Sequence, residues 1–539
     1  MRKFKVTCLV LLCAIIMTMC SACKSEEKKP ESDDLANIKP MTENTMPITE
    51  EEITLNVWME NMSQGYMKSY NDMKAFEELR KRTGIKLNFI HPTGKTENQL
   101  ELLLAANDYP DIVFSQKLKT SSIQGEIGAA VRLNEYIDAY APNINKVFNE
   151  HEGYKKQFSL VGDDVIKIQK ITDDQRFLCY DGYFIRMDWL DKVGLGIPQT
   201  IDEWYNVLKA FKNTDLNGNG KHDEVPFSTY FFTFEETFST AFDIPKYEYF
   251  KVPGENKITH AVLAPKFKEY LTTMHKWYSE GLINPNFLNT NTGELDAILE
   301  NDQLGAVYCD NNNLMPRYMQ TKPEMRLVAV PYPMNEKGIR YYPNNNIKMM
   351  VRNEGAIITK NCKYVKEAVR FFDYLFSEEG QTLMNWGIEG ESYTVDKDGK
   401  KKYTDLILNN PDKKTPPEAI CKYMTNTGFV GVQQYEAGLA LEENLPPDIK
   451  KVKNDSVNMA MATEKTLKPL PPKFTTEEVN QISQKESEID SYINDMIAKF
   501  ILGVEPLEKF DAFVQTTKEM GIDEVISVYQ TAYERQGFE

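Results

Sequence analysis

Residues 215–224 read DLNGNGKHDE and concentrate oxygen-bearing side chains on one short, glycine-containing stretch. The first three acidic or amide residues stand at alternate positions. This spacing is typical of calcium loops, in which a tightly coiled backbone turns every second side chain towards the ion. The predicted ligands are side-chain oxygens and one backbone carbonyl: Asp215, Asn217, Asn219, Lys221 through its carbonyl, Asp223 and Glu224. The alternative is an ordinary polar turn rich in Asn and Gly.

The end of this stretch departs from the EF-hand pattern. An EF-hand carries a glutamate at the twelfth position of its loop, but Pro226 stands there. The residues before the loop predict a helix, whereas the VPFS that follows does not predict a second one. We therefore expect a calcium loop outside an EF-hand, closed by Asp223 and Glu224.

The sequence lacks the motifs of common catalytic sites. None of the five histidines belongs to an HExxH motif, no serine lies in GxSxG, and the cysteines beyond the N-terminal segment form no CxxC pair. A zinc enzyme or a serine hydrolase is therefore not indicated. A pair of carboxylates for glycoside hydrolysis stays open, because its two members need not be close in sequence.

Short apolar runs alternate with helical patterns in the first part of the chain. The runs ITLNVW (53–58), IKLNFI (85–90) and DIVFS (111–115) are separated by amphipathic segments. This order predicts a parallel sheet covered by helices, and such sheets bind ligands beyond the carboxyl ends of their strands. The predicted ligand-contacting residues at these ends are Trp58, Glu60 and Ser115.

A second set of candidates comes from the middle and the later part of the chain. Tyr183 lies where a second unit begins, and Asp310 ends the predicted strand LGAVYCD. The loop NWGIEGESY carries Trp386 and Glu389. Sugar rings stack on aromatic planes and bond carboxylates through their hydroxyls, so we predict that all four residues contact a ligand. The alternative for Trp386 is packing in a lobe core.

The N-terminus has the composition of an export signal. A basic start, MRKFK, precedes an uncharged apolar run and then CSAC at 20–23. The run is shorter than the ~20 residues of a membrane span, although a single membrane anchor is the alternative. SAC resembles a bacterial lipobox, which implies a signal peptide of 1–22 and lipidation of Cys23. The charged, proline-containing residues that follow predict a flexible tether, 23–50.

Length and charge restrict the remaining function classes. A chain of 539 residues is long enough for two or more domains. Its formal net charge of −17 argues against binding to nucleic acid. Four cysteines in the body of the protein are too few for a disulfide scaffold, so we expect buried thiols.

Several stretches resemble one family, the extracellular solute-binding proteins of carbohydrate ABC transporters. They include AANDYPDIVFS, YFIRMDWLDKVGLGIPQTIDEWYNVLKAFK, DLNGNGKHDEVPFS, WYSEGLINPNF and FFDYLFSEEGQTLMNWGIEGESY. The resemblance extends from about residue 108 to the C-terminus. The long YFIRMDWL block followed by the calcium loop is the specific part, and it resembles alginate-oligosaccharide-binding members.

The resemblance implies an α/β, two-lobe periplasmic-binding-protein-like fold with a hinge and a ligand cleft. We predict a first lobe of 51–170 with 350–382 and a second of 171–349 with 383–539. The implied protein is a monomer, not an enzyme, that is lipid-anchored on the outer face of the cell membrane. It captures an oligosaccharide and delivers it to an ABC permease, and its calcium is structural.

Two other functions stay open at this point. A secreted glycan-cleaving enzyme would present two carboxylates across a cleft at catalytic separation. A binding protein for peptides or another solute would line its cleft with backbone-pairing edges and charged groups.

Overall fold

The computed structural model describes most of the chain after residue 44. The described residues are 45–61, 67–93, 96–115, 120–151, 153–159, 161–229, 237–246, 248–312, 314–322, 324–343, 349–425, 429–463, 467 and 470–538. The predicted signal peptide, the lipidated Cys23 and most of the predicted tether lie outside these residues.

The strands are numbered in chain order. Strands β1 to β14 are Ile53–Trp58, Ile85–Ile90, Ile112–Ser115, Ile168–Thr172, Asp181–Arg186, Val225–Thr229, Tyr249–Lys251, Ile258–His260, Leu304–Asp310, Leu327–Val330, Val351–Ile358, Tyr393–Val395, Lys401–Tyr403 and Gly431–Gln433. The predicted runs at 53–58, 85–90 and 304–310 coincide with β1, β2 and β9.

The helices follow the same convention. Helices α1 to α20 are Lys74–Thr83, Thr96–Ala106, Thr120–Ala129, Asn134–Tyr140, Pro142–Glu150, Tyr154–Phe158, Met187–Val193, Ile201–Asn213, Phe267–Ser279, Thr292–Glu300, Leu314–Thr321, Val365–Leu375, Glu378–Trp386, Asp405–Leu408, Pro416–Ile420, Tyr435–Leu441, Pro447–Met461, Thr476–Leu502, Phe510–Glu519 and Ile522–Gln536. A capping box formed by Thr200 and Glu203 begins α8.

The first sheet has the strand order β14-β4-β11-β3-β1-β2. Strands β1, β2 and β3 are parallel, and β11 runs antiparallel to both β3 and β4. The carboxyl ends of β1, β2, β3, β4 and β14 therefore lie along one edge of the sheet, together with the amino end of β11. Polar groups that follow these strands are brought side by side.

The second sheet has the order β10-β5-β9-β6. Strand β9 is parallel to β6 and antiparallel to β5, with Asp181 opposite Asp310. Because β10 is antiparallel to β5, the carboxyl ends of β6, β9 and β10 share an edge with the amino end of β5.

Three segments, here called the crossings, connect the two sheets. The first crossing is 173–180, between β4 and β5, and the second is 331–350, between β10 and β11. The third crossing, 434–446, leads from β14 to α17, which packs against β5 and β10. We call each sheet with its covering helices a lobe. The first and second crossings start and end on the two edges described above, and the third starts on the first-sheet edge, so the two edges face the same hinge.

The second lobe has an extensive apolar core. It contains Trp189, Trp204 and Trp277 and extends to the long helix α18. Helix α18 also contacts α3 of the first lobe, so it joins the two lobes on the side of Ile127.

The predicted lobe boundaries stay a prediction, and one element counts against part of them. Strand β14 belongs to the first sheet, where it pairs with β4. The prediction placed 383–539 in the second lobe, because a short strand so late in the chain gives no local sign of its partner.

Two further observations concern the cell envelope and the thiols. Among the described residues no helix combines the length and apolarity that crossing a membrane requires. The expectation of buried thiols is confirmed for Cys179, Cys309, Cys362 and Cys421, which are buried and form no disulfide with one another.

Candidate functional site

The first-lobe edge of the hinge is ordered by His91, which follows β2. His91 Nδ1 lies 2.8 Å from the Met59 carbonyl, while Nε2 accepts from the Tyr70 N–H at 3.2 Å and lies 3.0 Å from Ser69 Oγ. Since Nε2 accepts from a backbone N–H, Nδ1 is the nitrogen that donates to the Met59 carbonyl. His91 therefore holds the chain that leaves β1 against the end of β2.

A β-bulge on β11 places charged residues at the same edge. The pairing of β11 with β4 shifts between Val351 and Gly355, so 352–354 bend out of register. Arg352 Nε lies 3.4 Å and Lys170 Nζ 3.8 Å from opposite oxygens of Glu354. Bulges of this kind often redirect side chains next to functional sites.

The bulge cluster of Lys170, Arg352 and Glu354 combines two cations with one anion. Burial by itself would raise the pKa of Glu354, but the charges of Lys170 and Arg352 outweigh it and hold that pKa below its ordinary value. Burial also lowers the pKa of Lys170. The side chain of Arg352 is 17% exposed, so it can reach a ligand while its stem stays packed.

The second-lobe edge presents Asp310 and its neighbours. Asp310 Oδ1 accepts from the N–H groups of Asn312 and Leu314 at 3.1 and 3.4 Å, at the start of α11. The Asn311 amide donates to the Cys179 carbonyl at 2.8 Å and fixes the end of β9 to the first crossing. Asp310 therefore ends β9 half-buried on the second-lobe edge, and its contact with a ligand stays a prediction.

Trp58 and Tyr183, which were predicted to contact a ligand, are core residues of the two lobes. Trp58 is buried in a cluster with Leu104 and Val113, because the last residue of β1 still packs under α2 and α3. Tyr183 is fully buried, and its hydroxyl accepts from the Phe238 N–H at 2.6 Å. Both side chains support the walls of the lobes from inside.

Trp386 is also a core residue and not a stacking surface. It ends α13 instead of lying in the following loop, and only 1% of it is exposed. Its ring centroid lies 5.0 Å from that of Tyr403 on the β12–β13 hairpin. Its Nε1 donates to Gln434 Oε1 at 3.0 Å. The alternative weighed in the sequence, packing in a core, describes this residue.

The remaining residues that were predicted to contact a ligand lie in different parts of the structure. Glu60 is half-buried two residues beyond β1, and Glu389 is exposed on the turn after α13. The backbone of Ser115 ends β3 opposite Gly355, and its side chain lies outside the described residues. The bulge cluster was missed, because Lys170 on β4 lies far in sequence from Arg352 and Glu354 at the start of β11, so neither strand carries a local sign of a site.

The loop at 215–224 connects α8 to β6 in the second lobe. Asp215 Oδ1 accepts from the N–H groups of Gly218 and Asn219 at 2.8 and 3.1 Å, and its Oδ2 accepts from Gly220 at 2.8 Å. Gly218 and Gly220 adopt positive φ of 74° and 80°, as the tight coil requires.

The acidic end of the loop is arranged around Glu224. This residue is 1% exposed, and its Oε1 accepts from the Leu216 N–H at 2.7 Å. Its Oε2 is buried without a hydrogen-bond partner. Hydrogen bonds from the Asn219 and Asn217 amides hold the pKa of Asp223 below its ordinary value. No group of three His, Cys, Asp or Glu in metal-binding arrangement occurs among the described residues.

Comparison with known proteins identifies the family. Residues 68–382 match the model of the bacterial extracellular solute-binding proteins, and the chain belongs to this family. Among relatives, the fructooligosaccharide ABC transporter substrate-binding protein FusA of Streptococcus pneumoniae is 22% identical over 87% of this chain and 88% of its own. Lipoprotein LipO of Bacillus subtilis is 26% identical over 85% and 88%.

Solved structures show the same fold. Alginate-binding protein AlgQ2, determined without calcium ion, matches with a TM-score of 0.75 and 23% identity over 90% of this chain and 99% of its own. An EF-hand mutant of S. pneumoniae FusA in complex with fructo-nystose matches with a TM-score of 0.71 and 19% identity over 90% and 99%. The predicted two-lobe α/β fold is thereby confirmed.

Proposed function

We propose that this protein captures an oligosaccharide between its two lobes and delivers it to an ABC permease. The observation that carries the proposal is the opposition of two polar strand edges across three crossings, in a chain whose relatives include a carbohydrate transporter component. Sugar hydroxyls would bond to groups such as Asp310 on one edge and Arg352 on the other.

The chain's own residues supply binding and closure in this scheme. A ligand that contacts both edges favours the closed arrangement by the difference between its affinities for the closed and open states. Closure excludes water, and the closed form is the one that a permease would recognise. No bond of the sugar is broken, which distinguishes the proposal from the glycan-cleaving alternative.

A calorimetric screen tests this proposal. Fructo-oligosaccharides, oligogalacturonates, alginate oligosaccharides and short peptides are titrated into the purified protein. We expect at least one oligosaccharide class to bind and the peptides not to bind. Exclusive binding of peptides would favour the alternative of a peptide-binding protein. Release of shorter sugars would favour the glycan-cleaving enzyme.

Two arginine variants test whether Arg352 belongs to the proposed sugar-binding site. Arg352→Gln is expected to weaken binding of the identified sugar at least about tenfold, which corresponds to ~1.4 kcal/mol. Arg317→Gln is the matched control, because Arg317 is half-exposed on α11 in an ion pair with Asp296. Equal affinities for both variants would remove Arg352 from the proposed site.

We propose further that the loop at 215–224 binds a structural calcium ion. The donors are hard oxygens, and the buried Glu224 Oε2 has no protein partner, as expected of a carboxylate that is completed by a cation. The same ligands would be Asp215, Asn217, Asn219, the Lys221 carbonyl, Asp223 and Glu224. The ion would pin the connection between α8 and β6 and take no part in ligand binding.

Chelation is therefore expected to lower the melting temperature of the calcium-loaded protein, because a ligand of the native state is removed. Glu224→Gln and Asp215→Ala should abolish this difference. Asp396→Ala is the matched control, since Asp396 Oδ1 also accepts two turn N–H groups, from Asp398 and Lys400, at 3.0 Å. If chelator leaves the melting temperature of the calcium-loaded protein unchanged, the proposed calcium site is refuted.

The anchor is also a proposal. On the sequence pattern SAC we infer lipidation at Cys23 and attachment to the outer face of the cell membrane. Cys23→Ala is expected to move the protein from the membrane fraction to the medium or to leave it unprocessed. Unchanged processing and attachment of this variant would rule out the lipobox interpretation.

A further inference from the structure

The first and third crossings are joined by an aromatic contact on the hinge. The guanidinium carbon of Arg176 lies 4.1 Å from the ring centroid of Tyr435. The ring of Phe177 meets the same tyrosine edge-on, with centroids 5.1 Å apart and an interplanar angle of 88°. Tyr435 is thus held between two side chains of the other crossing.

Backbone groups reinforce this contact. Asp173 Oδ1 accepts from the Tyr435 N–H at 2.8 Å, and the Asp173 N–H donates to the Gln433 carbonyl at 3.1 Å. Asp174 Oδ1 accepts from Arg176 Nε at 2.9 Å and orients the guanidinium. We call Asp173, Arg176, Phe177 and Tyr435 the hinge clasp.

The next residues of the first crossing are fixed to other parts of the molecule. The Leu178 carbonyl accepts from the Tyr342 hydroxyl at 2.8 Å, and the Cys179 carbonyl accepts from the Asn311 amide at 2.8 Å. The Tyr180 carbonyl accepts from the Asn311 N–H at 2.8 Å. Up to Phe177 the first crossing is therefore bonded to the third crossing. From Leu178 onwards it is bonded to the second crossing and to the end of β9.

We propose that the hinge clasp makes the first and third crossings move as one body and that Tyr435 positions the lobes in the resting state. Bending during closure is then confined to the second-lobe side of Phe177. The inference rests on the proposed closure of the lobes, but its test needs no ligand. The hinge clasp can therefore be tested even if no sugar ligand is found.

The test is a distance distribution between the lobes, measured by pulsed electron paramagnetic resonance on the ligand-free protein. Spin labels are placed at Lys146→Cys on α5 and Asp202→Cys on α8, two exposed positions. The native cysteines among the described residues are buried, and those at positions 8, 13, 20 and 23 are replaced by serine, so labels react at the introduced ones. Tyr435→Ala is expected to widen the distribution about twofold, while Tyr435→Phe, which keeps the ring, should retain the original width.

Two further variants keep the result decisive. Arg176→Gln replaces an exposed residue, and it should widen the distribution in the same direction. Tyr205→Ala removes a tyrosine ring that also lies under a cation, with Lys276 Nζ at 3.9 Å, but within the second lobe alone. An unchanged distribution in Tyr435→Ala and Arg176→Gln would overturn the proposal, as would equal widening in Tyr205→Ala.

Discussion

Replacement of Trp386 by alanine is expected to lower the free energy of unfolding by about 3–5 kcal/mol, the range for large core aromatics. The reason is its environment: the indole is packed with Tyr393, Tyr403 and Tyr423, and its Nε1 is hydrogen-bonded to Gln434. Urea denaturation of the wild type and the variant measures the difference.

A conservative variant separates packing from ligand binding. Trp386→Phe keeps an aromatic ring in the cluster and should lose distinctly less stability than Trp386→Ala. The affinity of folded Trp386→Phe for the identified sugar should stay within about twofold, a small change in binding free energy. A variant Trp386→Ala that is as stable as the wild type but binds sugar poorly would restore the original prediction of a stacking surface.

The second large effect is expected at Lys167. Its Nζ lies 2.7 Å from Glu126 Oε2, and neither side chain is exposed to solvent. Lys167→Met removes the cation beside this buried carboxylate, and breaking a buried ion pair from one side costs about 3–5 kcal/mol. The loss should appear as a lower midpoint of urea denaturation.

The interpretation as a buried charge effect has its own controls. The double variant Glu126→Leu with Lys167→Met removes both charges and should recover most of the lost stability. Lys81→Met breaks an exposed pair with Glu77, 3.2 Å apart, and should cost less than about 1 kcal/mol. If Lys167→Met proved as harmless as Lys81→Met, the buried pair would not contribute as described.

Local features of the chain were readable from the sequence. Strands β1 and β2 match the predicted runs residue for residue, because alternation and glycine boundaries act over a few positions. The capping box before α8 is equally local. The fold followed from the order of such elements and from the resemblance of longer blocks.

The site was less readable, because it depends on contacts between distant parts of the chain. Trp386 looked like a loop residue, but α13 extends to include it, and the later β12–β13 hairpin covers it. The bulge on β11 appears only when β11 is paired with β4. Nothing near Lys167 in sequence indicates Glu126, and nothing near Tyr435 indicates Arg176.

An oligosaccharide, bound intact, is expected to close the two lobes. Small-angle X-ray scattering of the protein during titration with the oligosaccharide panel measures this directly. One sugar class is expected to lower the radius of gyration in a saturable way and to be recovered unshortened, while peptides have no effect. An unchanged radius with every sugar, or closure by a peptide instead, would contradict it.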